Sequence, residues 1–588
     1  MARADLHVHS KYSMDGDEWA LKALGVRESY SEPEDVYKAA KLAKMDFVVL
    51  TDHNTIEGAL KLASRHLLDT IVGCEFSVFF PENGYKAHLL VYGLDQARFE
   101  ELLRLRSDIY AVREYLRSED LAYSVAHATL DVNGKLSPEI LEKLILLFDV
   151  FENVNGAHSA SHNCGWEDLL ERLTPRDLER LSQKHGIKPL NENSWSKGLT
   201  GGSDDHAGLF IGQTFTVAPC STKDEFLRCL KNKQTFGCGR HHDPKAMMLS
   251  LMLIGGRALS DLTGAKGPAI VLKEIERVIS GFPSSRRWIL DLVSRVLRLK
   301  RGIFSGVFGE MMAEVLRHFR ENPGLTVDQR VEVVYGRLSG AVDRIIRRVT
   351  RAVNQDRRGK QGMAWLKKGL MMSAFFGAPL FASFKVLYRG RDLSGRVRLG
   401  EEGLETVKGP VSRRVLWFSD LIRRSKDLIS FNDAWNFPES VRVRAAVCTN
   451  ARRFPSSFAG LRIPLAGFLR GKVLGQFSVR IPSLLEGLSR IEAWAPDEIV
   501  IETPGPMGVM GLAAARLLNV KCFRAFTVES CLSGLRGKDA EEKEMYAGYL
   551  KIFSDLTVGP YPGARSALRS TDLSAGRRAS EPESLECV

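Results

Sequence analysis

Short apolar runs alternate with amphipathic stretches over roughly the first 250 residues. The apolar runs are DFVVL (46–50), TIVGCEFSVFF (70–80), KAHLLVYGL (86–94), AYSVAHA (122–128) and LFDVFENVN (147–155). They are strand-like runs, several rich in β-branched or aromatic residues. Between them lie helix-like segments such as PEDVYKAAKLAKM (33–45) and SPEILEKLILLF (137–148). The second opens on Ser137 before Pro138, an N-cap followed by a first-turn proline. Repeating strand–helix units predict an α/β domain built on a parallel sheet or barrel.

Helical periodicity dominates at about 251–410, in RRWILDLVSRVLRLKRGIF (286–304) and VDQRVEVVYGRLSGAVDRIIRRVTRAV (327–353). Within this region Gly369 to Phe384 carries no charge, but it is short for a membrane span and Pro379 interrupts it. A buried or interfacial helical hairpin is the expectation. From 411 to 562 the pattern returns to α/β. The run RVLWFSD (414–420) predicts a strand, and DEIVIETPGPMGVMGLAAARLLNVKCFRAF (497–526) reads strand, Gly-rich turn, helix, strand. Residues 563–588 are rich in Ser, Arg and Glu and predict a disordered tail.

Composition adds bounds to this picture. The chain has 588 residues, enough for two to four domains, and 44% of them are hydrophobic. Its nine cysteines form no CxxC pair, which argues against a zinc knuckle or a disulfide framework and for thiols in a reducing cytosol. MARADLHVHS leads straight into strand-like sequence, so no signal peptide is expected. The net charge is +12, and residues 271–370 hold 21 Lys and Arg against 10 Asp and Glu, a local excess of 11. Such a segment is either a solvated helix face or a contact for an anionic partner, an acidic glycolipid or a membrane surface met through residues 271–390. It lacks the interleaved aromatics of single-strand nucleic-acid binding, so nucleic acid is not the expected partner.

The chemistry concentrates near the N-terminus, in His7, His9, Asp15, His53, Glu75, His88, His127, Asp204 and His206. Residues two apart on a strand point to one face, so His7 and His9 can share an ion, and Asp204 with His206 repeats the spacing. Residues at strand C-termini line the active face of a parallel α/β barrel. Mixed nitrogen and oxygen donors suit Zn, Mn or Fe. Lys11, Lys197 and Arg240 are candidate phosphate clamps.

The stretches DLHVHSKYSMDGD, MDFVVLTDHNTIEGAL, GCEFS, AHLLVYG, VAHATL and GGSDDHAG, in this order, resemble the polymerase and histidinol phosphatase (PHP) family. That resemblance implies a distorted (β/α)7 barrel over residues 1–250 with two or three divalent ions at its C-terminal face. It places His7, His9, Glu75 and Asp204 on a first ion. Glu75 then bridges to a second ion held by His88 and His127, and Asp15, His53 and His206 hold a third. The implied activity is hydrolysis of a small phosphate ester by metal-activated hydroxide, with His7, His9, Glu75, Asp204 and His206 at the catalytic centre. Residues 411–562 resemble the acceptor-side, Rossmann-like half of family 4 glycosyltransferases of the GT-B fold, through RVLWFSD and the loop at Pro504, Gly505 and Gly508. No donor-binding half follows before Val588, so transfer activity is not expected. Residues 251–410 then form a basic helical connector. A transferase regulated by the barrel and a membrane-surface scaffold are the alternatives.

Overall fold

The computed structural model describes residues 1–13, 27–263, 278–279, 303–355, 378–388, 397–400, 403–406, 413–420, 441–448, 460–469, 479–526 and 540–561. Two compact units emerge, one of residues 1–341 and 374–408, the other of residues 342–373 and 409–588. The expected tail and most of the uncharged stretch 369–384 lie outside the described residues. Among the described residues, no helix is long and apolar enough to cross a membrane.

The first unit is built on nine strands: β1 (Ala2–Asp5), β2 (Phe47–Leu50), β3 (Thr70–Phe79), β4 (Lys86–Tyr92), β5 (Ala122–Val125), β6 (Val150–Asn155), β7 (Gly198–Gly202), β8 (Thr214–Ala218) and β9 (Phe236–Gly239). Their order is β7-β6-β5-β4-β3-β2-β1-β8-β9. The five apolar runs seen in the sequence are β2 to β6. Every residue of β2 and of β6 is buried, as expected for strands covered on both faces. Helices supply the cover. Pro138–Leu147 begins as its sequence predicts, with the Ser137 side chain accepting from the Ile140 amide. Trp166, on the helix Ala160–Glu171, packs edge-on against Phe151 of β6 with ring centres 5.6 Å apart.

The sheet is not uniformly parallel. β1–β2, β2–β3, β5–β6 and β6–β7 pair in parallel, while β3–β4, β4–β5, β1–β8 and β8–β9 are antiparallel. The hairpin β3–β4 and the return through β8 and β9 replace strict strand–helix alternation. The two ends of the sheet nonetheless meet. Thr216 of β8 accepts from the Gly201 amide at 2.8 Å and donates to its carbonyl at 2.9 Å. The sheet therefore curls into a nearly closed barrel. Gly201 and Gly202 make this possible, because a Cβ on Gly202 would lie 2.3 Å from the His7 Cβ. A short hairpin, β10 (Val397–Leu399) with β11 (Leu404–Thr406), also belongs to this unit, and the Leu404 amide donates to buried Glu142 at 2.6 Å.

The second unit centres on β12 (Arg413–Phe418), β13 (Val441–Cys448), β14 (Leu461–Ile463), β17 (Glu498–Ile501) and β18 (Lys521–Arg524), with an antiparallel pair β15 (Leu465–Leu469) and β16 (Val479–Pro482) beside them. The order β14-β13-β12-β17-β18 is parallel throughout, so the chain reverses direction across the sheet between β12 and β17. The helix Pro506–Leu517 packs closely on it, since a Cβ on Gly511 would lie 2.8 Å from the Phe418 ring. The periodic segment at 327–353 is one helix, Val327–Gln355, burying Val331, Val334, Leu338, Val342, Ile345 and Val349 along one stripe.

Candidate metal centre

The barrel delivers side chains to one rim. His7 and His9 follow the end of β1, His53 follows β2, His127 follows β5, and Asp204 and His206 follow β7. Glu75 lies three residues beyond the last parallel pair between β2 and β3, and His88 sits across the β3–β4 hairpin opposite Ser77. One face of a curled sheet thus gathers residues scattered over two hundred positions.

Eight of the nine predicted ligands converge; Asp15 lies outside the described residues. His7 Nε2 is 3.1 Å from Glu75 Oε2 and 3.4 Å from Asp204 Oδ1, and His9 Nε2 is 3.2 and 3.3 Å from the same two oxygens. Donors bound at about 2.1 Å to one tetrahedral ion stand about 3.4 Å apart. The four distances between these nitrogens and oxygens are close to that spacing. The other Glu75 oxygen, Oε1, is 2.7 Å from His88 Nδ1 and 3.2 Å from His127 Nε2. His53 Nδ1 is 3.3 Å from Glu75 Oε2, and the His206 ring stacks on His9 at 4.1 Å. His9 Nε2 and His206 Nε2 are buried without a hydrogen bond, as coordinating nitrogens would be. The donor set therefore fits divalent cations.

A supporting layer aims the donors. Glu152 takes His7 Nδ1 at 3.1 Å, which turns Nε2 toward the centre. Its second oxygen accepts from the His127 amide and from Asn155, which also donates to Asp204. Asp204 and His127 hold left-handed backbones, with φ of 50° and 27°. Such conformations cost about 1–3 kcal/mol at non-glycine residues and persist where the surroundings enforce them.

Protonation reflects the crowding. Burial opposes charge on His7, yet Asp204, Glu75 and Glu152 outweigh it and hold its pKa well above the ordinary value. Burial would raise Glu75, but His53, His7 and His88 keep it well below the usual carboxylate range. Asp204 is depressed in the same way, chiefly by His7 against its own burial. Burial pushes His53 down to about 4, whereas His206 is raised to about 10 because Glu28 and Asp204 outweigh its burial. Cations entering here would take the place of these protons.

The donors open into a cavity of about 170 Å³. Met247, Leu251, Ile254 and Leu387 give it an apolar wall. His158, His162 and His242 line it as well, although nothing in their sequence context marks them. His158 stacks on His127 at 5.6 Å, and burial holds its pKa well below the ordinary value, so it is neutral at pH 7. Glu28 and Glu152 were also not foreseen. Neither has a motif around it: Glu152 sits next to Asn153 in a strand buried throughout, and Glu28 lies outside every motif stretch.

The three candidate clamps lie differently. Lys197 precedes β7, at the opposite end of the strand from Asp204, and donates to the Ile145 and Phe148 carbonyls at 2.6 and 2.8 Å. It ties down the C-terminus of the helix Pro138–Leu147 and does not reach the cavity. Lys11 pairs with Glu32 at 2.9 Å. Arg240 pairs with Asp328 at 2.6 Å and lies over the Phe210 ring. In the second unit, Pro504 and Gly505 form the turn into the helix Pro506–Leu517, and Gly508 lies in its first turn. A Cβ on Gly508 would meet the Thr503 carbonyl, and one on Gly505 the Asp420 carboxylate.

Residues 5–147 match the family model of the PHP domain. The N-terminal part of the chain carries a PHP domain. The match stops short of Asp204 and His206, which the barrel brings beside His9. An uncharacterised protein of Methanocaldococcus jannaschii is 40% identical over 76 residues, or 12% of this chain and 43% of that protein. The chain therefore spans less than half the length of that relative. Among solved structures, a Bifidobacterium adolescentis protein described as a metal-dependent phosphoesterase is 14% identical, with 39% of this chain and 96% of that one covered and a TM-score of 0.23. An amidohydrolase from Chromobacterium violaceum, solved with sulfate and no metal, is 15% identical over 35% of this chain and 88% of that one, with a TM-score of 0.22.

Proposed function

We propose that the PHP domain is a metal-dependent hydrolase acting on a small phosphate ester. The observation that carries this reading is the split use of Glu75, one oxygen facing His7 and His9, the other His88 and His127. A bridging carboxylate between two imidazole-rich pockets is the arrangement of paired-ion hydrolytic centres. Divalent ions bound there would supply an acidified water and neutralise charge on phosphoryl oxygens. The chain's own residues supply the rest. Glu152 and Asn155 fix the donor geometry, and the neutral His158 beside the cavity is placed to hydrogen-bond a phosphoryl oxygen. The apolar wall limits water, and the cavity suits a phosphate with a short leaving group. The test is hydrolysis of a chromogenic phosphomonoester and phosphodiester with Mn or Zn, by the wild-type chain and by His7→Ala plus Asp204→Ala. Equal activity in all would end the assignment.

For the second unit, the acceptor-side half of a GT-B glycosyltransferase is the reading we keep. It is supported by the parallel order β14-β13-β12-β17-β18 and by the turn at Gly505. At that turn the Asp420 carboxylate accepts from Thr503 at 2.7 Å and from the Met507 amide at 3.1 Å. The chain's own anion thus sits at the helix N-terminus where a phosphate would bind. Nucleotide-sugar binding by this chain is accordingly not expected, and calorimetry that detects it would change the reading. The basic stretch 271–390 is proposed to touch an anionic membrane surface from the cytoplasmic side.

A further inference from the structure

Glu28 follows a segment of sequence between the HxH motif and the first helix, Pro33–Leu42, and belongs to none of the motif stretches. Its position is nevertheless fixed. The Lys11 amide donates to the Ser31 carbonyl at 2.8 Å, Ser29 Oγ donates to the His9 carbonyl at 3.4 Å, and Arg257 reaches Ser31 Oγ at 3.3 Å. These contacts strap residues 27–31 against the chain that carries His7 and His9. Glu28 Oε2 then lies 3.4 Å from His53 Nε2 and 3.6 Å from His206 Nε2.

The Glu28 side chain is about nine-tenths buried, at 10% exposure. Its Oε2 makes no hydrogen bond, and neither does His206 Nε2. A buried carboxylate left without a hydrogen bond costs free energy that a shared cation would recover. Glu28 Oε2 stands from each imidazole nitrogen at about the 3.4 Å that separates two ligands of one ion with bonds of about 2.1 Å. The oxygen stands between the two rings, at nearly equal distances from both imidazole nitrogens.

We propose that Glu28 is a ligand of a third cation, which it holds together with His53 and His206. This inference rests on the metal centre of the proposed function but adds a residue outside the family's motifs. It also makes the strap 27–31 a part of the metal site.

The experiment is elemental analysis and Mn titration of the full chain, comparing wild type with Glu28→Gln, Glu28→Asp and His7→Ala. Stoichiometry is the readout, so no turnover is required. Glu28→Gln is expected to lose one ion per chain, or to weaken the weakest site by about 10- to 100-fold. Glu28→Asp, which keeps the charge, should retain the ion at reduced affinity and provides the reading if Glu28→Gln does not fold. Unchanged stoichiometry and affinity in Glu28→Gln would overturn the proposal while leaving the other sites intact. A wild-type chain without bound ions would instead overturn the whole centre, and this ligand with it.

Discussion

Glu75 is the residue on which the site turns. It is 1% exposed, and imidazoles approach both of its oxygens. Glu75→Gln keeps the shape but removes the charge that lets it bridge two cations. Phosphoesterase activity is expected to fall by at least about 100-fold, since supporting residues alone account for 10- to 100-fold. Assays over a range of Mn concentrations check this, and rescue by excess metal would contradict it. Glu152→Gln should act through His7, with about 10- to 100-fold weaker metal binding and an otherwise intact fold.

pH offers a second residue-scale test. His206 is raised to about 10 in the folded chain from an ordinary value of 6.5. Its stabilising charge is fully present below about 6.5 and is lost as pH rises toward 10. Glu75 and Asp204 have depressed values, so their contribution is present above the ordinary carboxylate range and is lost in acid. Metal-free protein should therefore lose thermal stability from about pH 6.5 upward as His206 deprotonates. Metal affinity should rise over the same window, because ions and protons compete for the same nitrogens. Thermal melts in chelator and in Mn separate the two trends.

At the scale of elements, β2 to β6 and the helix Pro138–Leu147 were legible because apolar runs and an N-cap announce them. β12, β17 and the helix Pro506–Leu517 were legible for the same reason. β7 was not, since GLTGG carries no strand propensity. Its glycines are explained only by the barrel, which leaves no room for side chains where β7 meets His7 and β8. Nor could the antiparallel β8 and β9 be read from local sequence, because pairing direction depends on partners far along the chain. The candidate ligands were legible where a motif surrounds them, whereas Glu28, Glu152 and His158 reach the site through tertiary approach alone. Gly202→Ala tests the element-scale account. Its Cβ would fall 2.3 Å from the His7 Cβ, so His7 must move. Reduced metal binding along with a lower Tm is expected, and a variant with wild-type metal affinity would contradict it.

At the scale of the whole molecule, one unit holds a convergent donor set and the other a parallel sheet whose helix N-terminus is already occupied by Asp420. The proposed catalysis therefore belongs to the first unit. The charge excess at 271–370 belongs to the intact chain and predicts binding to anionic vesicles that fades with salt, as exposed charges are screened within about 8 Å at physiological ionic strength. Co-sedimentation at low and high salt checks this, and salt-independent binding would contradict it. The central claim is that the rim of the barrel holds paired divalent ions through Glu75. Elemental analysis of the purified full chain, after Mn loading and removal of free metal, tests it most directly. The account predicts two or three ions per chain, matching the four overlapping donor groups, and loss in Glu75→Ala of the pair that Glu75 bridges. A chain that retains no ion, or a Glu75→Ala variant that retains them all, would contradict it.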